Sequence, residues 1–240
     1  MYPVAGNHET MPDNSFSAYK ARFAAARALG VNSGNAGDDA NRWYSFDDGL
    51  VHWISVDTEL WSSGTPAQIA AQAAWLAADV AAINRTRTPW VLAQGHKGWW
   101  ETGKTDWDAL GLTAPFKAAN VDMYFCGHTH LYERLRAFAD GASSDPACLS
   151  GNTYTDCKGT IGIIAGSPGM DQGLGTRTPP ADVLALELKA WGYGHLTVIN
   201  ETHLHWNWFE VATKEGGVPR ALAWGTGAQT DDAWVVRSAA

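Results

Sequence analysis

VDMYFCGHTHLYER, residues 121–134, divides into an apolar run, a glycine and a pair of histidines. Val121 to Cys126 is mostly apolar and reads as a buried strand. Gly127 ends the run, and His128 and His130 follow two residues apart. In extended backbone, residues two apart point the same way, roughly 6–7 Å from one another. Two imidazoles at this spacing can aim at one point, or at two adjacent metal ions, from the lip of a sheet. Histidine is the commonest metal-binding side chain. A bare His-x-His is equally at home in a polar turn. What sets this one apart is its company, Asn7-His8 and His96.

Residues 2–5 form a short apolar segment that ends at Gly6 and reads as a strand end, with Asn7-His8-Glu9 on the loop beyond it. A neutral amide oxygen can bind a metal without adding charge, and the imidazole of His8 can face substrate. Trp90 to Ala93 is a second buried strand, running into Gln94-Gly95-His96-Lys97. Three strand ends therefore carry metal-capable groups to loops, the usual place for function on a rigid scaffold. Trp99 and Trp100 follow His96 and are expected to wall a cleft.

Between these points the pattern alternates. Residues 15–29 read as a helix with Phe16, Tyr19 and Phe23 on one face and Gly30 as its stop. Residues 43–46 and 50–56 read as a hairpin about Asp47-Asp48-Gly49, followed by Asp57 and Glu59 as solvated strand-end acids. Residues 66–84 are the clearest helix, with Thr65 as N-cap, Pro66 at the first position and an apolar face of Ile69, Ala73, Leu76, Val80 and Ile83. A helix over 106–119 is weakened by Gly111 and Pro115. After the twin histidines come strands at 131–138 and 159–165, the latter ending in Gly166-Ser167-Pro168-Gly169. Residues 170–188 begin loop-rich and resist assignment. A hairpin spans 195–200 and 202–209, and a last short strand 234–237. His203 and His205 form a second His-x-His, but no glycine-ended loop adjoins them, so they read as structural. This order gives an α/β fold with a two-sheet core and helices outside. With no internal repeat or clear linker, residues 1–240 read as a single domain.

The chain has 17 basic and 25 acidic residues, a net charge of −8, which argues against nucleic acid or an anionic membrane as the main partner. A small phosphorylated substrate remains compatible, because a metal pair sets its own local field. No apolar stretch is long enough to span a bilayer. Of three cysteines, Cys148 and Cys157 flank a polar loop and are placed to close a small disulfide, whereas Cys126 reads as a core thiol. With Asn84-Arg85-Thr86 and Asn200-Glu201-Thr202, which fit the glycosylation acceptor pattern, the cysteine pair points to a secreted or vacuolar/lysosomal protein. No basic-then-apolar leader follows Met1. The 13 tryptophans are scattered, which suits core and cleft walls rather than one binding stripe.

GNHE at 6–9, Gly95-His96 and GHTHLYER at 127–134, supported by WYSFDDGLVHWISVDTE at 43–59 and GHLTVINETHLHWNW at 194–208, resemble the calcineurin-like metallophosphoesterases, and most closely the purple acid phosphatases. The resemblance runs over essentially the whole chain. It implies a four-layer α/β/β/α sandwich, incomplete at its N-terminus, holding two metals bridged by an aspartate and a solvent oxygen. By position, Asn7, His96 and His128 look like ligands of a divalent ion (zinc, manganese or iron). His130 looks like a ligand of a ferric ion, and His8 like the residue that contacts phosphate and assists the leaving group. Tyr132, Glu133 and Arg134 look like support. The implied reaction is hydrolysis of phosphate monoesters by a metal-activated hydroxide. The family's first two motifs lie ahead of GNHE, and this chain opens only a short strand before it. The expectation is therefore the C-terminal part of a longer enzyme, with the 240 residues alone binding metal poorly and lacking activity. Residues 97–125 hold none of the histidines that plant-type members carry there, so either Lys97 or Glu101 substitutes or His8 acts alone, and the resemblance leaves the acid and the substrate preference open. The same scaffold also fits a phosphodiesterase or nucleotide pyrophosphatase, and the ligand loss fits a non-catalytic paralogue that binds phosphate or a partner.

Overall fold

The computed structural model describes residues 2–10, 15–28, 35–36, 41–99, 106–138, 145–168, 173–176, 182–211 and 227–238. They form a mixed α/β fold with two sheets, divided into two compact units: residues 1–99 with 103–124, and residues 100–102 with 125–240.

The first unit begins with a 3-10 turn at Asn7–Thr10 and helix α1 (Ser17–Ala28). Strands β1 (Asn35–Ala36), β2 (Tyr44–Asp48) and β3 (Val51–Ser55) follow, then α2 (Leu60–Ser63), α3 (Pro66–Ala82), β4 (Trp90–Gln94), α4 (Thr113–Ala119) and the first two residues of β5 (Met123–Cys126). The five strands lie side by side in chain order. The β2–β3 hairpin forms as expected, but its turn is Gly49-Leu50. Asp48 pairs with Val51, so Asp47 and Asp48 belong to the strand. Gly49 takes φ 56°, the left-handed region that glycine enters without a Cβ penalty.

Helix α3 starts as its sequence dictates. Thr65 Oγ1 accepts from Gln68 N at 3.3 Å, Gln68 Oε1 accepts from Thr65 N at 2.9 Å, and Pro66 fills the first position. Its buried residues are Leu76 and the polar pair Gln72 and Asp79, while Ile69, Ala73, Val80 and Ile83 are half-buried. The helix expected over 106–119 shrinks to its second half. Gly111 sits at φ 70°, and the turn before it places Trp107 against Trp99, with ring centroids 4.5 Å apart. Trp99 is thus stacked on an aromatic neighbour; Trp100 lies outside the described residues. Strands β3 and β4 run parallel, with α2 and α3 as their crossover. The carboxyl ends of both strands, and so Asp57 and His96, therefore emerge at the same edge.

The second unit contains β6 (Tyr132–Leu135), a 3-10 turn at Pro146–Cys148, β7 (Leu149–Ser150), β8 (Thr153–Thr155) and β9 (Ile161–Ala165). Then come β10 (Leu184–Leu188), β11 (Gly192–Val198), β12 (His203–Glu210) and β13 (Ala228–Val236). Strand β6 pairs antiparallel with β9 on one side and β10 on the other. A five-stranded sheet runs β11-β12-β13-β8-β7. The 170–188 stretch hides β10, and the short strand expected at 234–237 is the end of the longer β13. At the centre Arg134 donates from Nε and Nη2 to Asp231, at 2.8 and 3.0 Å, and from Nη1 to Tyr154 Oη at 3.0 Å. Tyr132 Oη donates to Asp231 and accepts from Trp206 Nε1 at 2.9 Å. Tyr132 and Arg134 are thus buried supports, and Glu133 is fully buried.

His205 Nε2 lies 2.8 Å from Asp232 and its ring stacks on Trp234, while His203 Nδ1 lies 2.8 Å from Thr202 Oγ1. This second His-x-His is structural. Cys148 and Cys157 are disulfide-bonded, and Cys126 is a buried free thiol.

Candidate metal-binding loops

In the first unit, the loop after the opening segment meets the loop after β4. His96 Nε2 lies 2.8 Å from Asn7 Oδ1, across 89 residues of sequence. Gly6 permits this approach, since a Cβ there would fall 2.9 Å from His96 Cε1. The turn is closed by Glu9, whose Oε2 accepts from Gly6 N at 2.9 Å, and by Thr10 Oγ1 donating to Asn7 O at 2.6 Å. Gly95 has a similar reason: a Cβ would stand 2.2 Å from Tyr124 Oη, which donates to Lys97 O at 2.7 Å.

The acids beyond β3 are not solvated. Asp57 and Glu59 are both fully buried. Asp57 is paired with Arg42 at 2.5 Å and bracketed by Gln72, which donates to its carbonyl at 3.2 Å and accepts from its N–H at 2.7 Å. Burial pushes the Asp57 carboxyl up to about 6, against the opposing pull of Arg42. Glu59 pairs with Lys97 Nζ at 3.0 Å, and burial likewise raises its carboxyl against the pull of Lys97. The expectation failed because the partners that make burial tolerable, 15 and 38 residues away, are invisible to a local reading. Lys97 is thereby tied to a buried carboxylate, and its N–H donates to Thr58 Oγ1 at 3.0 Å. Together these bonds anchor the His96 loop. Glu101 lies outside the described residues. His8 is exposed and lines a pocket with residues of α1.

In the second unit, the loop after β5 departs from the extended geometry assumed above. His128 adopts φ 56°, a left-handed conformation that costs a non-glycine residue roughly 1–2 kcal/mol. Thr129 N donates to Gly127 O at 2.7 Å and Leu131 N to Thr129 O at 2.9 Å, so the histidines sit on consecutive tight turns. Backbone strain of this kind concentrates at functional loops. Gly166 N donates to Leu131 O at 3.1 Å, and a Cβ on Gly166 would lie 2.0 Å from Thr129 O. Gly175 N donates to His130 O at 2.8 Å. Both histidines are half-buried.

Among the described residues, no group of three or more His, Cys, Asp or Glu side chains forms a cage for an ion. The donors that do converge are Asn7 Oδ1 and His96 Nε2. Ligands about 2.1 Å from a shared ion and at right angles to each other stand about 3 Å apart. The observed 2.8 Å suits that arrangement. A neutral amide oxygen beside an imidazole nitrogen fits zinc, manganese or divalent iron.

Residues 1–132 match the calcineurin-like phosphoesterase model, and the chain belongs to that family. Residues 159–218 match the model described as iron/zinc purple acid phosphatase-like protein C. Mouse acid phosphatase type 7 is 30% identical over 97% of this chain and 52% of its own length. Purple acid phosphatase 21 of Arabidopsis thaliana is 30% identical over 85% of this chain and 44% of its own. The chain thus spans about half the length of these curated relatives. The structure of a purple acid phosphatase from yellow lupin (Lupinus luteus) seeds shares the fold, with a TM-score of 0.59 at 21% identity, covering 83% of this chain and 33% of that one.

Proposed function

We propose that this chain forms, over residues 1–240, the part of a phosphomonoesterase domain that supplies Asn7, His96, His128 and His130 to a two-metal site, one ion ferric and the other zinc, manganese or iron. The observation that carries the reading is the approach of Asn7 to His96, two residues from separate motifs whose donor atoms meet at 2.8 Å. When bound, the metals neutralise the phosphoryl charge and lower the pKa of water. The chain's own residues do the rest. Asn7 and His96 offer neutral donors, so the site keeps net positive charge for an anionic ester. The Glu59–Lys97 pair fixes the His96 loop. His8, exposed at the turn, carries a ring nitrogen able to hold the proton that the leaving oxygen takes up. The substrate is a small phosphate ester.

A secreted or vacuolar/lysosomal setting is part of the proposal. It is supported by the Cys148–Cys157 bond and by two exposed acceptor asparagines, each folded in a turn with its threonine. No helix among the described residues is long and apolar enough to cross a membrane.

Isothermal titration with zinc, and with manganese, tests the metal half of the reading. Asn7→Ala and His96→Ala should each weaken binding at least about tenfold, in line with the loss of a ligand or its immediate support. Any metal-dependent hydrolysis of 4-nitrophenyl phosphate should fall at least as far in His128→Ala. Binding indifferent to both Asn7 and His96 would overturn the assignment.

A further inference from the structure

The pocket beside His8 is formed within the first unit, between the opening segment and α1, with a volume of about 290 Å³. Two of its lining side chains can be cationic. His8 and Arg22 are both exposed, and neither has an ion pair or side-chain hydrogen bond among the described residues. The acid in the same wall, Glu9, has its Oε2 engaged by Gly6 N at 2.9 Å, which ties that oxygen to the turn. The remaining wall is aromatic. Tyr19 and Phe23 pack with ring centroids 4.9 Å apart, and Tyr19 Oη is spent on Asn41 O at 2.8 Å, so the pocket meets its ring. Tyr19, Arg22 and Phe23 stand three and four apart, one face of α1. The volume lies at the small end for ligand pockets and suits one ring rather than a larger group.

We propose that this pocket receives the leaving group of the ester, and that it favours a single-ring alcohol carrying a second negative charge, which Arg22 holds while Tyr19 and Phe23 pack on the ring. The proposal rests on the reading of His8 as the residue that faces the substrate. A phosphoryl group at His8 places its ester substituent in the adjoining space, where an aromatic wall and an unengaged guanidinium are the available recognition elements. Arg22 is exposed, so its contribution is modest and salt-sensitive.

The test uses two non-hydrolysable probes, benzylphosphonate and 4-carboxybenzylphosphonate, titrated into the chain by calorimetry at low salt with zinc present. The carboxylate probe should bind about three- to fivefold tighter, the range of an exposed ion pair. Arg22→Gln should bring the two probes to the same affinity, Arg22→Lys should retain part of the preference, and about 0.5 M salt should erase it. Arg87→Gln, remote from the pocket, should keep it. No preference, a preference that survives Arg22→Gln, or failure of both probes to bind would overturn the proposal. An Arg22-dependent preference together with metal binding indifferent to Asn7 and His96 would leave the pocket standing and remove the two-metal reading. Metal binding that depends on Asn7 and His96 without that preference would do the reverse.

Discussion

His52 is clamped between two carboxylates. Its Nδ1 lies 2.7 Å from Asp47 on β2 and its Nε2 3.1 Å from Asp79 on α3. Asp79 also accepts from Ser45 Oγ, and Arg87 pairs with Asp47. A neutral imidazole has one N–H, so it can satisfy one acid and must turn a lone pair on the other; only imidazolium serves both. Burial alone would push the ring's pKa down, but the hydrogen bonds and charges of Asp79 and Asp47 outweigh it and hold His52 above its ordinary value. A raised folded pKa means that this group's stabilisation is complete below the unfolded value near 6.5 and is lost as pH rises through the folded one. Deprotonation forfeits roughly one charge-assisted hydrogen bond, about 1.5–3 kcal/mol when shielded. The Asp47 side chain is 32% exposed, against 5% for Asp79, which places the expected loss at the lower end. At 2–4 °C per kcal/mol for a chain of this size, about 1.5 kcal/mol is about 3–6 °C in melting temperature. Thermal melts by circular dichroism of the wild type and His52→Gln, from pH 5 to 9, isolate this group, because other titrations cancel in the difference. The wild-type advantage should be largest at pH 5–6 and shrink above it. A difference that is flat, or that grows with pH, refutes the reasoning.

Two further outcomes follow from the second unit. Asp231→Asn leaves buried Arg134 without its counter-charge and with one carboxylate acceptor fewer, so urea unfolding should show a loss of about 3–5 kcal/mol, the usual cost of breaking a buried pair. Replacing Cys148 and Cys157 together by serine opens a loop of 9 residues' separation, and the same assay should register a loss of about 2–3 kcal/mol on the loop-closure relation.

The elements that were legible in sequence carry their cause in adjacent residues. Thr65-Pro66 starts α3 on its own, and Gly49 turns the hairpin without help from afar. The candidate loops stand out for another reason: GNHE, Gly95-His96 and GHTH place rare donor types directly after apolar runs. What stayed hidden depends on distant partners. Asp57 and Glu59 look like surface acids until Arg42 and Lys97 arrive from elsewhere in the chain. Strand β10 has half-buried residues throughout and no alternation to mark it. The left-handed His128 does not follow from HTH taken as an extended run; its signal lies in Gly166, whose missing side chain makes room for the Thr129 carbonyl.

The Arg134 centre also constrains how the chain is made. Its counter-charge, Asp231, lies 97 residues downstream. At 5–20 residues per second, a ribosome needs on the order of 5–20 s to deliver that carboxylate after the arginine emerges. Until then β6 can settle beside its neighbours only by sequestering a bare cation, so the nascent second unit has reason to wait, open, for its last strand.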